Sequence, residues 1–250
     1  NILLTSDKRG LRFLKTSENF KLINIPSSPI IKKNIFEFLL SVFVIFHGIL
    51  KSLIFLCLNR PKLVLGMGGY SSFPICIAAF FLKIRFVIYE NNLIIGKANR
   101  YLLPLANKIF VSYIDLEGIS DIHKKKINVI GNIVREEIMR ESSTFNGKNE
   151  LSELKILVLG GSQAAKIFAE ELPPIFEKLK KLNIAIKVYQ QCQKNQNYQL
   201  KEFYTKAKID HEIFNFSDNI IEYYRKTNLV ITRSGASVLG ELLDINIPVI

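Results

Sequence analysis

The chain has 250 residues, 48% hydrophobic and 22% charged, with three cysteines and a formal net charge of +12. That length suits two α/β domains of ordinary size or one large one, and the apolar content excludes a disordered chain. Cys57, Cys76 and Cys192 lie in or beside apolar segments without CxxC or Cys/His spacing, which argues against a disulfide framework or zinc site and fits a reducing compartment.

Read from its start, the chain opens with Asn-Ile-Leu-Leu-Thr-Ser-Asp, neither a start methionine nor a signal peptide, and it stops at Ile-Pro-Val-Ile inside an apparent strand. Both ends read as cut, so the expectation is an internal piece of a longer protein. Short apolar runs at 1–5, 62–65, 85–89, 108–111, 155–159, 184–189 and 229–232 predict strands. Helical stretches at 72–82, 94–105, 164–182 and 237–244 fall between them, the rhythm of βα units on a parallel sheet. The segment 35–58 is apolar nearly throughout. Glu37 and Lys51 leave only 13 uncharged residues, 38–50, where a membrane span needs about 20. A crossover helix buried on the sheet is the reading favoured. A transmembrane helix is disfavoured on that ground, and a helix dipping into a bilayer interface is the third reading, given Lys32, Lys33, Lys51, Arg60 and Lys62 around it.

A division is expected near 131–135, giving domains 1–134 and 135–250. Residues 1–134 carry 18 Lys+Arg against 7 Asp+Glu, a net +11, whereas 135–250 carry 16 against 15, a net +1. A polyanionic partner is therefore expected on the first domain: anionic lipid head groups, a phosphorylated substrate or nucleic acid. A basic surface that only aids solubility is the plainer reading. No nucleic-acid motif is present, so nucleic acid is not an expected partner.

Four loops carry candidate chemistry. At 62–74, Lys-Leu-Val-Leu-Gly-Met-Gly-Gly-Tyr-Ser-Ser-Phe-Pro runs a strand into Gly66, Gly68 and Gly69 and then into a helix, whose free N–H groups suit an anion. It is neither GxGxxG nor GxxxxGK[ST], and a tight turn is the alternative. At 155–165 a second strand feeds Gly160 and Gly161, and Ser162 and Gln163 open a helix. Ser162 is either an N-cap or a diphosphate ligand. At 229–242 Ser234, Gly235, Ala236 and Ser237 follow a strand, and Glu241 lies one turn into the helix. That carboxylate is either solvated or an acceptor for ribose hydroxyls. Tyr89-Glu90-Asn91-Asn92 ends a strand where ligands of open parallel sheets bind, and can read sugar hydroxyls or merely form Asx turns.

Together these loops resemble the MurG family, the N-acetylglucosamine transferases of peptidoglycan synthesis within glycosyltransferase family 28. The resemblance rests on Gly-Met-Gly-Gly-Tyr-Ser-Ser-Phe-Pro, Tyr-Glu-Asn-Asn followed by Gly96-Lys97-Ala98-Asn99-Arg100, Gly131-Asn132-Ile133-Val134-Arg135, Gly-Gly-Ser-Gln, and Thr-Arg-Ser-Gly-Ala-Ser with Glu241, in the family's order. It implies a GT-B fold, two Rossmann-like domains facing a cleft. It implies inverting transfer of N-acetylglucosamine from UDP-N-acetylglucosamine to the C4 hydroxyl of lipid I, at the cytoplasmic face of a bacterial inner membrane. By the same resemblance the donor meets Asn92, Arg135, Ser162, Gln163, Ala236, Ser237 and Glu241, and the backbone at Ser217 lies where uracil is read. Gly68, Gly69 and Tyr70 face the acceptor diphosphate, and an anionic membrane surface is a partner.

The sequence departs from the family pattern in places. Tyr89 stands for a histidine, Asn91 for a glutamine and Ala164 for a glycine. The family's first glycine-rich loop and its C-terminal glutamines fall outside the chain. Glu90 is the one candidate base. No DxD pair occurs, so no divalent metal and no cofactor is expected. The alternatives are another GT-B transferase with a different lipid acceptor and, more remotely, a basic nucleic-acid-binding protein.

Overall fold

The computed structural model describes residues 2–8, 10–12, 21–30, 34–142, 153–161, 166–217 and 219–250. The chain divides into two compact units, Asn1–Asn132 and Ile133–Ile250.

In unit 1, β1 (Leu3–Ser6) and β2 (Lys21–Asn24) form a two-stranded parallel sheet. The larger sheet is four parallel strands in the order β3 (Val64–Gly66), β4 (Phe86–Glu90), β5 (Lys108–Val111) and β6 (Ile127–Val129). Helices α1 (Ile35–Asn59), α2 (Phe73–Phe81) and α3 (Lys97–Leu102) complete the unit. Its core gathers Val64, Cys76, Phe86, Ile88, Leu102 and Ile109. Burial pushes the Cys76 thiol up to about 12, so it is a packing group there. Lys126 turns its ammonium on the carbonyls of Leu103, Pro104 and Ala106, ending α3 with a positive charge.

Helix α1 departs from expectation. Asn34 caps its start by accepting from the Phe36 N–H at 3.1 Å, and Arg60, in the left-handed region at φ 37°, closes its end before Pro61. Only Ser41, Gly48, Ser52 and Leu56 are buried along its 25 residues. These lie on one face, and a Cβ at Gly48 would meet the Pro26 carbonyl oxygen at 2.1 Å, so the small residues let the backbones approach. Phe36, Phe43 and Ile54 are 71%, 66% and 65% exposed. The favoured reading of a helix buried on the sheet is thus corrected. The stripe that packs inward is mostly small residues, joined near the end of the helix by Leu56 with Leu53 and Phe55 beside it, and most of the other large apolar side chains point away. By length and composition α1 could cross a membrane.

Unit 2 begins with α4 (Glu136–Ser142) and holds a four-stranded parallel sheet ordered β10 (Leu229–Thr232), β7 (Leu154–Leu159), β8 (Ile186–Gln191) and β9 (Asp210–Phe214). Between these strands run α5 (Lys166–Lys181), α6 (Asn197–Lys206) and α7 (Ile220–Lys226), and α8 (Ala236–Ile245) follows β10. Alternate residues of β7 enter different cores. Leu157 and Leu159 join Ile138, Tyr224 and Leu242, whereas Ile156 and Val158 join Phe176, Leu200 and Tyr204. Both faces of this sheet are covered, the arrangement that parallel strands with continuous apolar runs require.

Candidate functional site

The strand order of unit 2 locates a ligand crevice without reference to any side chain. β7, β8 and β9 step outward in chain order, and β10 then returns to the other side of β7. Ligands of open α/β sheets bind beyond the strand ends at such a reversal. A cavity of about 540 Å³ lies there, lined by Gly160, Gly161, Thr232, Arg233, Ser234, Gly235 and Val238. Gly161 has φ +77°, and a Cβ there would meet nothing within 4 Å, so the backbone is exposed to whatever enters. Gly235 caps α8, and Ala236 and Ser237 form its first turn. Ser162 and Gln163 lie outside the described residues, as do Ala164 and Asp218.

Beneath α8 lies an ion pair. Arg135 Nε donates to Glu241 Oε1 and Arg135 Nη2 to Oε2, both at 2.8 Å. The hydroxyl of Tyr224, buried on α7, donates to Oε2 at 3.1 Å. The Glu241 side chain is 9% exposed and that of Arg135 48%. The hydrogen bond to Glu241 pushes the Arg135 pKa up, and burial, then the Glu241 carboxylate, pushes the Tyr224 phenol up. Glu241 is therefore not a solvated glutamate. A carboxylate offers about four acceptor positions, and three are filled here, which leaves one on Oε1. Ser217, half-buried after β9, accepts from the Asn219 N–H at 3.2 Å.

In unit 1, Gly68 and Gly69 take φ of +80° and +68° between β3 and α2, a turn that favours glycine at both places. A Cβ at Gly68 would also sit 3.3 Å from Asn99 Nδ2 and 3.4 Å from the Tyr89 carbonyl oxygen. Ser72 Oγ donates to the Gly69 carbonyl at 3.0 Å, and Tyr70 is half-buried. Glu90, buried at the end of β4, is the hub of this end of the sheet. Its Oε1 accepts from the Asn92 N–H at 3.1 Å and from Asn92 Nδ2 at 2.7 Å. Its Oε2 accepts from the Gly96 N–H at 2.8 Å and Asn99 Nδ2 at 2.9 Å. Four donors fill the acceptor positions of this carboxylate. Asn92 is exposed, its amide held by Glu90 and Asn91. Tyr89, at the family's histidine position, exchanges a hydrogen bond with Ser112 Oγ at 2.8 Å and donates to the Gly131 carbonyl at 3.2 Å.

Two residues with site contacts had no role assigned from sequence. Asn99 was visible only as part of the Gly-Lys-Ala-Asn-Arg motif, and Tyr224 carried no signal in its polar surroundings. Among the described residues no group of three or more His, Cys, Asp or Glu side chains is gathered as a metal site would be.

Comparison with known proteins places this architecture. The N-terminal domain model of glycosyltransferase family 28 matches residues 1–111, and the C-terminal domain model of the same family matches residues 155–250. A UDP-N-acetylglucosamine–N-acetylmuramyl-(pentapeptide) pyrophosphoryl-undecaprenol N-acetylglucosamine transferase of Pelagibacter ubique is 34% identical over 247 residues, 97% of this chain and 66% of that protein. The protein of the same name from Rickettsia felis is 35% identical over 224 residues, 87% of this chain and 61% of its own length. The chain thus spans somewhat less than two thirds of these curated relatives. Among solved structures, MurG of Acinetobacter baumannii superposes with a TM-score of 0.66 at 24% identity, covering 96% of this chain and 64% of that one. The superposition gives the GT-B fold. With both domain models matched in order, the chain belongs to glycosyltransferase family 28.

Proposed function

We propose that the protein transfers N-acetylglucosamine from UDP-N-acetylglucosamine to the C4 hydroxyl of undecaprenyl-diphospho-N-acetylmuramyl-pentapeptide, with inversion. One observation carries this reading: 97% of the chain aligns, at 34% identity, with a relative named for that reaction. The hydroxyl oxygen bonds to the anomeric carbon as the bond from that carbon to the diphosphate oxygen breaks. UDP leaves with the electron pair, and the hydroxyl proton passes to a base. Glu90 is not assigned that task, because its lone pairs are committed to Asn92 and Gly96 in the loop after β4 and to Asn99 of α3.

The chemistry asks for donors aimed at the departing diphosphate. On this proposal the backbone of Gly160 and Gly161 supplies them with Ser162 and Gln163, and Ala236 and Ser237 line the nucleoside. Glu241 accepts one ribose hydroxyl at the open position of Oε1, while Arg135 and Tyr224 hold the carboxylate in place. Arg135 keeps its exposed side toward the donor. Asn92 meets the N-acetylglucosamine unit, and Gly68, Gly69 and Tyr70 meet the acceptor diphosphate. The outward apolar face of α1, with Lys51, Arg60 and Lys62 exposed beside it, rests peripherally on the anionic cytoplasmic leaflet of the inner membrane.

Radiolabelled UDP-N-acetylglucosamine offered with lipid I, and separately with diacylglycerol, tests the reading. Label in lipid I alone is expected. Label in diacylglycerol alone would move the protein to another GT-B activity. Asn92→Ala in the same assay is expected to cut transfer severely with the fold intact.

A further inference from the structure

Unit 1 has a cavity of about 380 Å³, most of whose lining has no role above. Its walls come from three helices and a loop: Ile45 of α1, Phe73 of α2, Ala98 and Tyr101 of α3, and Pro29. Gly69 and Tyr70, the turn read above as meeting the acceptor diphosphate, line it as well. Lys97 is the one charged side chain among the described residues lining it, and it is exposed.

A wall this apolar offers few partners for sugar hydroxyls, each of which would lose hydrogen bonds to water on entry. The volume is at the small end of ligand sites, which suits a short stretch of hydrocarbon. A cation beside the glycine turn suits an occupant that carries an anion next to its apolar part. Ile45 belongs to α1, whose neighbouring Phe43 and Phe46 are exposed, so a chain reaching the cavity along this helix stays against apolar surface.

We propose that this cavity binds the isoprenoid carbons adjoining the diphosphate of the lipid-linked acceptor, with Lys97 pairing with that diphosphate. The inference rests on the acceptor named under the proposed function and adds a subsite to it. Its consequence is specificity for the lipid as well as for the sugar. An acceptor of the same sugar and diphosphate on a different tail binds less tightly.

Calorimetric titration of the whole protein with farnesyl diphosphate, inorganic diphosphate and UDP tests it. Farnesyl diphosphate is expected to bind roughly tenfold or more tightly than inorganic diphosphate, because the buried methylenes add to the charge pairing. Ala98→Phe fills the cavity and is expected to weaken farnesyl diphosphate by about tenfold, leaving inorganic diphosphate and UDP unchanged. Lys97→Gln is expected to weaken both diphosphates. Should Ala98→Phe fail to fold, Tyr101→Asn, a neutral polar change at an exposed wall residue, takes its place with the same expectation. Equal affinity for the two diphosphates, or undiminished farnesyl diphosphate binding in a folded cavity variant, overturns the inference. Loss of the UDP signal while farnesyl diphosphate still binds strikes the proposed transferase reading instead.

Discussion

The two units use the same βα grammar for opposite ends. Unit 2 covers both faces of its sheet with helices and carries nearly balanced charge, 16 Lys+Arg against 15 Asp+Glu in residues 135–250. An accessible crevice lies at the β7/β10 reversal. Unit 1 turns its longest helix outward and carries 18 Lys+Arg against 7 Asp+Glu in residues 1–134. The difference teaches that a small-residue stripe decides which side of an apolar helix is spent on the fold. Ser41, Gly48 and Ser52 dock α1 closely, and Phe36, Phe43 and Phe46 are released for another contact.

If the units have separate economies, damage to one leaves the other intact. The largest expected effect is Glu90→Ala, which strips the acceptor from four donors, one of them on buried Asn99. Each unsatisfied buried group costs about 1–3 kcal/mol, so a loss of roughly 3–5 kcal/mol is expected in unit 1. Calorimetric melting checks this, with UDP affinity unchanged. A matching loss of UDP binding would mean that the two units do not stand apart. Next is Glu241→Ala, expected to weaken UDP roughly 10- to 100-fold through the lost charged hydrogen bond and the released Arg135 and Tyr224. Isothermal titration reads it, and lipid-vesicle binding serves as the unaffected control.

The pairing of Arg135 with Glu241 shows where sequence reading stops. Both residues were legible as donor-site candidates, each from its own motif. Their mutual hydrogen bonds join positions 106 apart, and no local pattern carries that. The same limit explains Glu90, since one of its donors is the backbone N–H of Gly96, invisible in composition. Strands such as β5 and β7 were legible because Ile109, Val111 and residues 156–159 are apolar and buried. Strand β9 was not, because Asp-His-Glu-Ile-Phe pairs only with β8 at the sheet edge and stays partly exposed. The helix expected at 94–105 shrank to Lys97–Leu102 because Ile94 bridges to Glu117 and Gly96 caps the helix. For α1 the helix itself was legible from its apolar run. Its orientation was hidden, because large apolar residues occur all round it.

Smaller effects sharpen the contrast. Phe43→Asp with Phe46→Asp, both on the exposed face of α1, is expected to reduce flotation with anionic vesicles about tenfold or more. Stability should stay within about 0.5 kcal/mol, because neither ring is in the core. A fall in melting temperature with vesicle binding intact would mean that this face is structural. Lys126→Met removes a charged donor from three carbonyls and is expected to cost unit 1 about 1–3 kcal/mol, read by urea unfolding.

The smallest effect is on unit 2. The hydrogen bond from Lys187 at 2.7 Å lowers the Asp210 pKa. A lowered carboxyl pKa stabilises the fold above the unfolded value and loses that contribution as pH falls through the folded one. The pair is largely exposed, so the contribution is at most about 1 kcal/mol. Lys187→Met is expected to flatten the acid limb of unit 2 stability by that amount, as seen in urea melts repeated down the pH scale.

A crystal structure of the protein with UDP shows whether the β7/β10 crevice holds the nucleotide. The diphosphate is expected against Gly160 and Gly161, with one ribose hydroxyl on Glu241 Oε1 and the Arg135–Glu241 pair unbroken. UDP seated away from the β7/β10 reversal, or a ribose bound with no contact to Glu241, would contradict this expectation.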